Sequence, residues 1–590
     1  MRTTFWWCPT WVVGLAVILA TTTARAADSL ADYLPDGALG SVEVSGLAAL
    51  IEKIESSDIP RVIVESDGYK KYADSDAGRK ARGGQALLEG QLGMGLWTAA
   101  KRIAGDRAFL AIYPPSDGNE QPNGVLLVRL ADEEIGPLVK EKLAPFVELA
   151  GDKVVAENRD GVWRLRSKDD KVHAALRGRW VVLSSTADRL DGVLNAVSRP
   201  DVPSESTLAD SPAWKGLAVQ SQPGDTWVTV CVDLQRLRTI VNQDRLLPSK
   251  TDNPLASLLF GGLLECAALA PRACGSLVVG SNEFALSVKV DQSADRLDAA
   301  HRTLFAPRVT SLPVLTPDVP RRLGSLEFSR AWAEWYKARD QLLEAKVLPE
   351  FDKFETGLAT FLPGKDFAED VLALLGTPMT FVAAQQTFPH LEGHPGVQLP
   401  AFGVVLELND PQKGADLFNV FFQTITSISN IEAGKYGRQP WVLGSESFQG
   451  IQIAFAKYLQ TPKGTELPLV YNFQPASALV GKNYVAATSL ELCRDLVKSL
   501  QQPVRDGSPP RSSGVDVNFE MNLDPNLAAE LLLANRAALE AVGLQQGKTA
   551  EQVRQEFDAG QALLRALAPW QMRTIVHEKT IELRLTGGWH

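Results

Sequence analysis

The chain has 590 residues, too many for one compact domain at roughly 100–200 residues each. Its 45% hydrophobic, 22% charged and 7% aromatic residues, with 46 Gly and 35 Pro, exclude collagen-like, coiled-coil and wholly disordered classes. A formal charge of -10 argues against chain-wide attraction to nucleic acid or anionic lipid.

Residues 1–26 read as a signal peptide. Arg2 precedes an apolar stretch from Trp11 to Ala20, and Ala24-Arg25-Ala26 forms an A-x-A site, so cleavage is expected before Ala27. The apolar run is about half of the ~20 residues that span a bilayer. Cys8 lies before that run, which argues against a lipid-anchored cysteine, and no later segment is apolar enough to span. Without Arg2 and Arg25 the charge becomes -12, from 58 basic against 70 acidic residues. The mature chain is expected to be soluble and periplasmic or secreted.

After residue 30 the order of patterned segments recurs after residue 313. Leu34-Pro35-Asp36 leads into an alternating strand, Gly40-Ser41-Val42-Glu43-Val44, and a helix at 47–54. Thr316-Pro317-Asp318 leads into Gly324-Ser325-Leu326-Glu327-Phe328 and a helix at 331–347. Strands at 108–113 and 125–130 correspond to 380–384 and 404–408, with Asp132 and Asp410 placed to cap the helices that follow. Gly178 to Thr186 and Gly481 to Ser489 share an offset of 303. Behind them Leu190, Val193, Leu194 and Val197 fall on Cys493, Leu496, Val497 and Leu500, the spacing of one buried helical face. Strands at 227–234 and 277–290 correspond to 515–523 and 574–585.

Pro-rich and polar stretches at 199–203, 312–320 and 502–514 mark boundaries. The expected layout is a signal peptide (1–26), a first half (27–311), a linker (312–320) and a second half (321–590). Alternation such as Val515, Val517, Phe519, Met521 and Ile581, Leu583, Leu585 predicts antiparallel sheets with one wet face. The fold class is therefore α+β, in two similar halves, each a mainly antiparallel sheet with helices packed on one face.

Cys231, Cys266, Cys274 and Cys493 allow three full pairings in an oxidising compartment. The short loop around Pro271 makes Cys266–Cys274 a candidate pair, and Cys493 is expected to be a buried, inert thiol. No C-x-x-C pair supports zinc or thioredoxin-type redox chemistry.

No catalytic residue is assigned. His390-Leu391-Glu392-Gly393-His394 has ligand-type side chains at spacings unlike zinc-protease motifs, flanked by Pro389 and Pro395, and reads as a solvated hairpin loop. His173, His301, His577 and His590 are scattered. Ser185-Thr186 and Thr488-Ser489 read as helix caps, and no G-x-S-x-G elbow occurs. Gly93-Met94-Gly95 and Gly357 to Lys365 lack phosphate-loop spacing. Trp332, Trp335 and Tyr336, at i, i+3, i+4, form a packing stripe. Asp366 to Asp370 reads as a charged turn entering a helix, and no metal site or cofactor is expected.

The Leu34-Pro35-Asp36 opening and the strand-hydroxyl-helix units Trp180 to Val197 and Tyr484 to Leu500 resemble a family of exported bacterial proteins. That family is classed as a domain of unknown function and is built from repeated units; the resemblance implies the architecture and carries no catalytic residues. The sequence thus leads to an exported, non-enzymatic protein that binds a ligand or an envelope protein between or on two duplicated halves, with no nucleic acid and no membrane span after cleavage. Its binding residues are unassigned. The alternatives are an extracytoplasmic hydrolase whose site assembles only in three dimensions and a structural envelope protein joined through sheet edges.

Overall fold

The computed structural model describes residues 29–46, 67–95, 107–115, 122–130, 135–199, 206–217, 226–305, 317–460, 463–502 and 516–590, with Glu52, Val64, Thr98 and Lys101. The expected signal peptide, the expected helix at 47–54 apart from Glu52, the Asp132 cap and most of the boundary stretches lie outside the described residues. By packing, the chain divides into a first unit, 1–244 with 270–291, and a second unit, 245–269 with 292–590. The first unit therefore ends before the expected linker, and the segment 245–269 belongs with the second.

Among the described residues the first unit holds ten strands. They are β1 (Gly40–Ser45), β2 (Arg107–Tyr113), β3 (Asn123–Arg129), β4 (Val154–Arg159), β5 (Val162–Ser167), β6 (His173–Arg177), β7 (Trp180–Ser184), β8 (Thr226–Asp233), β9 (Arg272–Val279) and β10 (Glu283–Val290). Every pairing is antiparallel, in the order 4-5-6-7-3-2-1-8-9-10. The run expected as one strand at 277–290 is the end of β9, a turn and β10.

The second unit has β11 (Arg322–Phe328), β12 (Leu375–Ala384), β13 (Ala401–Leu408), β14 (Trp441–Phe448), β15 (Ile451–Tyr458), β16 (Ala476–Val480), β17 (Asn483–Ala487), β18 (Asp516–Leu523), β19 (Leu567–Val576) and β20 (Ile581–Trp589). Its sheet is also antiparallel, in the order 14-15-16-17-13-12-11-18-19-20. That is the first unit's order with ten added to each strand. The expected α+β class with antiparallel sheets is what the chain adopts.

Helices lie against both sheet faces rather than one. In the first unit α1 (Ile135–Ala150) packs Ile135 and Val139 on Ala108, Val128 and Leu176. On the opposite face α2 (Ala187–Ser198) buries Leu190, Val193, Leu194 and Val197 against Phe109, Leu127 and Val182. The second unit adds α3 (Pro254–Leu269), α4 (Pro411–Lys435) and α5 (Leu490–Gln501). α4 packs Phe418 on Leu406 and Tyr484, while α5 buries Leu492, Cys493, Leu496 and Val497 on Val405 and Val485, across the sheet from α4. Each such aliphatic side chain contributes about 1.5–3 kcal/mol, so the predicted i, i+3, i+4, i+7 face is what docks α5. No helix among the described residues is long and apolar enough to cross a membrane.

Caps follow the expected chemistry in the second unit. Asp410 accepts from the Lys413 amide at 3.1 Å and Ser489 from that of Leu492 at 3.1 Å. Thr186 makes no side-chain cap bond. The neighbouring hydroxyls bond across to another strand in both units. Ser185 Oγ accepts from the Gly124 amide at 3.0 Å and Thr488 Oγ1 from that of Phe402 at 2.8 Å. Each ties the turn before a helix to the strand beside it.

The disulfide joins Cys231 to Cys274, in place of the Cys266–Cys274 candidate. The two residues lie directly opposite in β8 and β9, with Cα atoms 4.1 Å apart. Cys266, on α3, packs in the second unit as a buried thiol, and burial pushes its pKa up to about 12, as it does that of Cys493.

Candidate binding face

Alternation puts Ser41, Glu43 and Ser45 on one side of β1 and Gly40, Val42 and Val44 on the other. The polar side, expected to be wet, is buried: Glu43 has no exposed surface and Thr229 opposite it is 1% exposed. Its counterparts in the second unit, Glu327 and Glu520, face each other across β11 and β18 and are 3% and 8% exposed. Such burial is tolerated because the carboxylates are engaged. Ser29 Oγ donates to Glu43 at 2.7 Å, the Leu30 amide at 2.9 Å and Arg107 at 3.4 Å. Glu520 accepts from Arg573 at 3.1 Å, Asn522 at 3.1 Å and Gln571 at 3.3 Å. Glu582 accepts from Arg584 at 2.8 Å and lies 3.4 Å from His577.

Burial pushes the Glu43 carboxyl above its ordinary 4.5, against the pull of Arg107, the Leu30 amide and Ser29. A raised folded-state pKa gives stability that is fully present below the unfolded value and is lost as pH rises through the folded one. The wild-type chain should therefore lose unfolding free energy relative to Glu43→Gln as pH rises from the ordinary glutamate range through the raised folded-state value. Parallel urea-unfolding profiles for the two proteins across that range would refute this.

The residues singled out by sequence are not drawn together. His390 lies in the connection between β12 and β13, while His394 and Pro395 pair in parallel with Glu466 and Leu467, so the segment is stitched rather than freely solvated. Gln386 donates to the Leu399 and Asn472 carbonyls, while Asn472 Nδ2 donates to Val397 and its Oδ1 accepts from Leu399. Burial lowers the His390 pKa. Trp332, Trp335 and Tyr336 are buried with Phe328, Phe519 and Leu342, the packing role expected of them. Asp366 caps its helix turn by accepting from Glu369 at 2.7 Å. Gly93 ends the helix Asp76–Leu92 in the left-handed conformation that glycine adopts freely.

One cluster escaped the sequence. Among the described residues, Glu265, Asp298 and His301 form the one group of three metal-type side chains, with ligand atoms within 4.8 Å of one another. His301 Nδ1 is 2.8 Å from Asp298 and Nε2 is 3.7 Å from Glu265. Arg245 donates to both Glu265 oxygens, to Oε1 at 2.9 Å. A guanidinium seated on the carboxylate repels a cation, so the group acts as a clasp between 245, α3 and the short helix Ala299–Arg302. Burial opposes ionisation of Asp298, but the His301 amide and ring hold its pKa below the usual range. The one sequence signal was the three-residue spacing of Asp298 and His301, an N-cap pattern.

The apolar side of each sheet is the more unusual feature. In the first unit, directly opposed residues form a row across seven strands: Leu183, Leu126, Leu110, Val42, Val230, Gly275 and Val288. None of the seven is buried. Over β1 to β3 and β7 to β10 this side carries no charged residue, yet Ile112, Leu183, Val230 and Leu286 are 36–38% exposed. The corresponding row in the second unit is Ala486, Val404, Phe381, Leu326, Met521, Met572 and Leu585, again without charge. There Phe381, Phe402 and Leu523 are 41–52% exposed, while the neighbouring Phe328 and Phe519 are roofed by the Trp332 cluster and Phe260. Contiguous exposed apolar surface marks interaction sites in soluble proteins.

These features define an α+β protein of two units, each an antiparallel ten-stranded sheet with one charge-free side partly open. No family model matches the chain, and no curated protein matches it. Among solved structures, crystal form III of TP0453 is similar with a TM-score of 0.26 at 11% identity, covering 47% of this chain and 85% of that one. Crystal form I of TP0453 gives 0.25 at 11% identity, covering 48% and 85%. Likenesses this slight carry no argument about fold or function.

Proposed function

We propose that this is an exported, non-enzymatic binding protein, periplasmic or secreted, that holds an apolar ligand or the apolar surface of a partner on its charge-free sheet sides. The observation that carries the reading is the row of unburied apolar side chains at matching register in both units. Two further facts support it. The Cys231–Cys274 disulfide fits an oxidising compartment, and the repeated strand order fits a duplicated binding unit.

The test uses the chain lacking residues 1–26, in native mass spectrometry and pull-down, with an anilinonaphthalene probe for apolar surface. A bound species or partner is expected, with probe uptake weakened about tenfold by Val230→Lys, equal to about 1.4 kcal/mol. Absence of any bound species, partner or probe uptake refutes the reading.

A further inference from the structure

Resting on that reading, we infer that the first unit's open side takes the alkyl chain of a lipid. The argument concerns what the surface can complement. Over seven strands it offers no charge, so an occupant must be uncharged along the length that touches it. It also lacks the Tyr, Trp and Arg anchors that centre protein–protein interfaces.

Its relief points the same way. Gly40, Ile112 and Gly124 are directly opposed on β1, β2 and β3. Ile112 is 38% exposed, with no side chain beside it in its row. A Cβ built at Gly124 would meet nothing within 4 Å, and one at Gly40 only the Cys231 carbonyl oxygen at 3.8 Å. Two hollows one side chain deep therefore flank Ile112, each one strand wide, about 4.8 Å. A helix about 10–12 Å across cannot enter them, whereas a polymethylene chain can. The second unit has Phe402 at the register position of Gly124, filling the equivalent hollow.

The experiment titrates the chain lacking residues 1–26 with parinaric acid and displaces it with palmitate. Saturable uptake is expected, weakened about tenfold or more by Gly124→Phe, which fills a hollow without adding charge. Gly124→Ala should weaken it less. Circular dichroism and retention of the disulfide check that each variant folds. Parinaric acid uptake that is absent, or indifferent to both Gly124 variants, overturns the assignment. If the anilinonaphthalene probe still binds and Val230→Lys weakens it, only the alkyl chain is rejected and the apolar-binding reading stands. Occupation of this side by a second copy, seen as a dimer in light scattering that Gly124→Phe dissociates, also overturns it.

Discussion

Replacing Arg330 with methionine is expected to cost the second unit about 3–5 kcal/mol, the range for breaking a buried polar network by removing one partner. Arg330, two residues past the end of β11, is 2% exposed. Its Nε donates to the Leu258 carbonyl at 2.6 Å and Nη2 to that of Leu259 at 3.0 Å, binding α3 to the sheet. Nη1 donates to the Ser329 carbonyl at 2.6 Å and to Asn518 Oδ1 at 2.8 Å, binding β18. Burial draws its pKa down to about 9, so the guanidinium costs free energy that these bonds offset. Methionine fills much of the volume but leaves Asn518 without its donor. Segment 245–269 should then exchange its amide hydrogens faster than the rest of the second unit. Unchanged urea midpoint and unchanged exchange in α3 would show that Arg330 does not hold the helix.

The second large effect belongs to the disulfide. The double replacement Cys231→Ala, Cys274→Ala should destabilise the first unit by about 4 kcal/mol, from the chain entropy of a loop closed between residues 43 apart in sequence. The loss should appear as a lowered thermal transition of the first unit alone, as expected when units melt separately. Thiol labelling in denaturant without reductant provides a direct check on the chain lacking residues 1–26: Cys266 and Cys493 should label, and Cys231 and Cys274 should not. Four labelled cysteines would remove the basis for the prediction.

Much of the local structure was legible because it depends on neighbours in sequence. The α5 face of Cys493, Leu496 and Val497 follows from helical periodicity, and Asp410 and Ser489 cap because the first-turn amides need acceptors. The Trp332 stripe was read as packing from its spacing alone, and it packs. The turn between β9 and β10 was missed although Gly280-Ser281-Asn282 carries the residue types that mark a turn.

Alternation along each strand, the α+β class and the antiparallel pairing were thus determined by the sequence itself. Only the tertiary structure decided which stretches of each sheet side are covered. Seen in one strand, Glu43 belongs to water. In the fold, Ser29, Leu30 and Arg107, the last 64 residues away, converge on it and allow helices to close over that side. The same non-local pairing placed Cys231 opposite Cys274 rather than beside the nearer Cys266. It also assembled seven separate strands into one charge-free side left partly open, because register between distant strands is set by the packing of the whole sheet and not by any single segment.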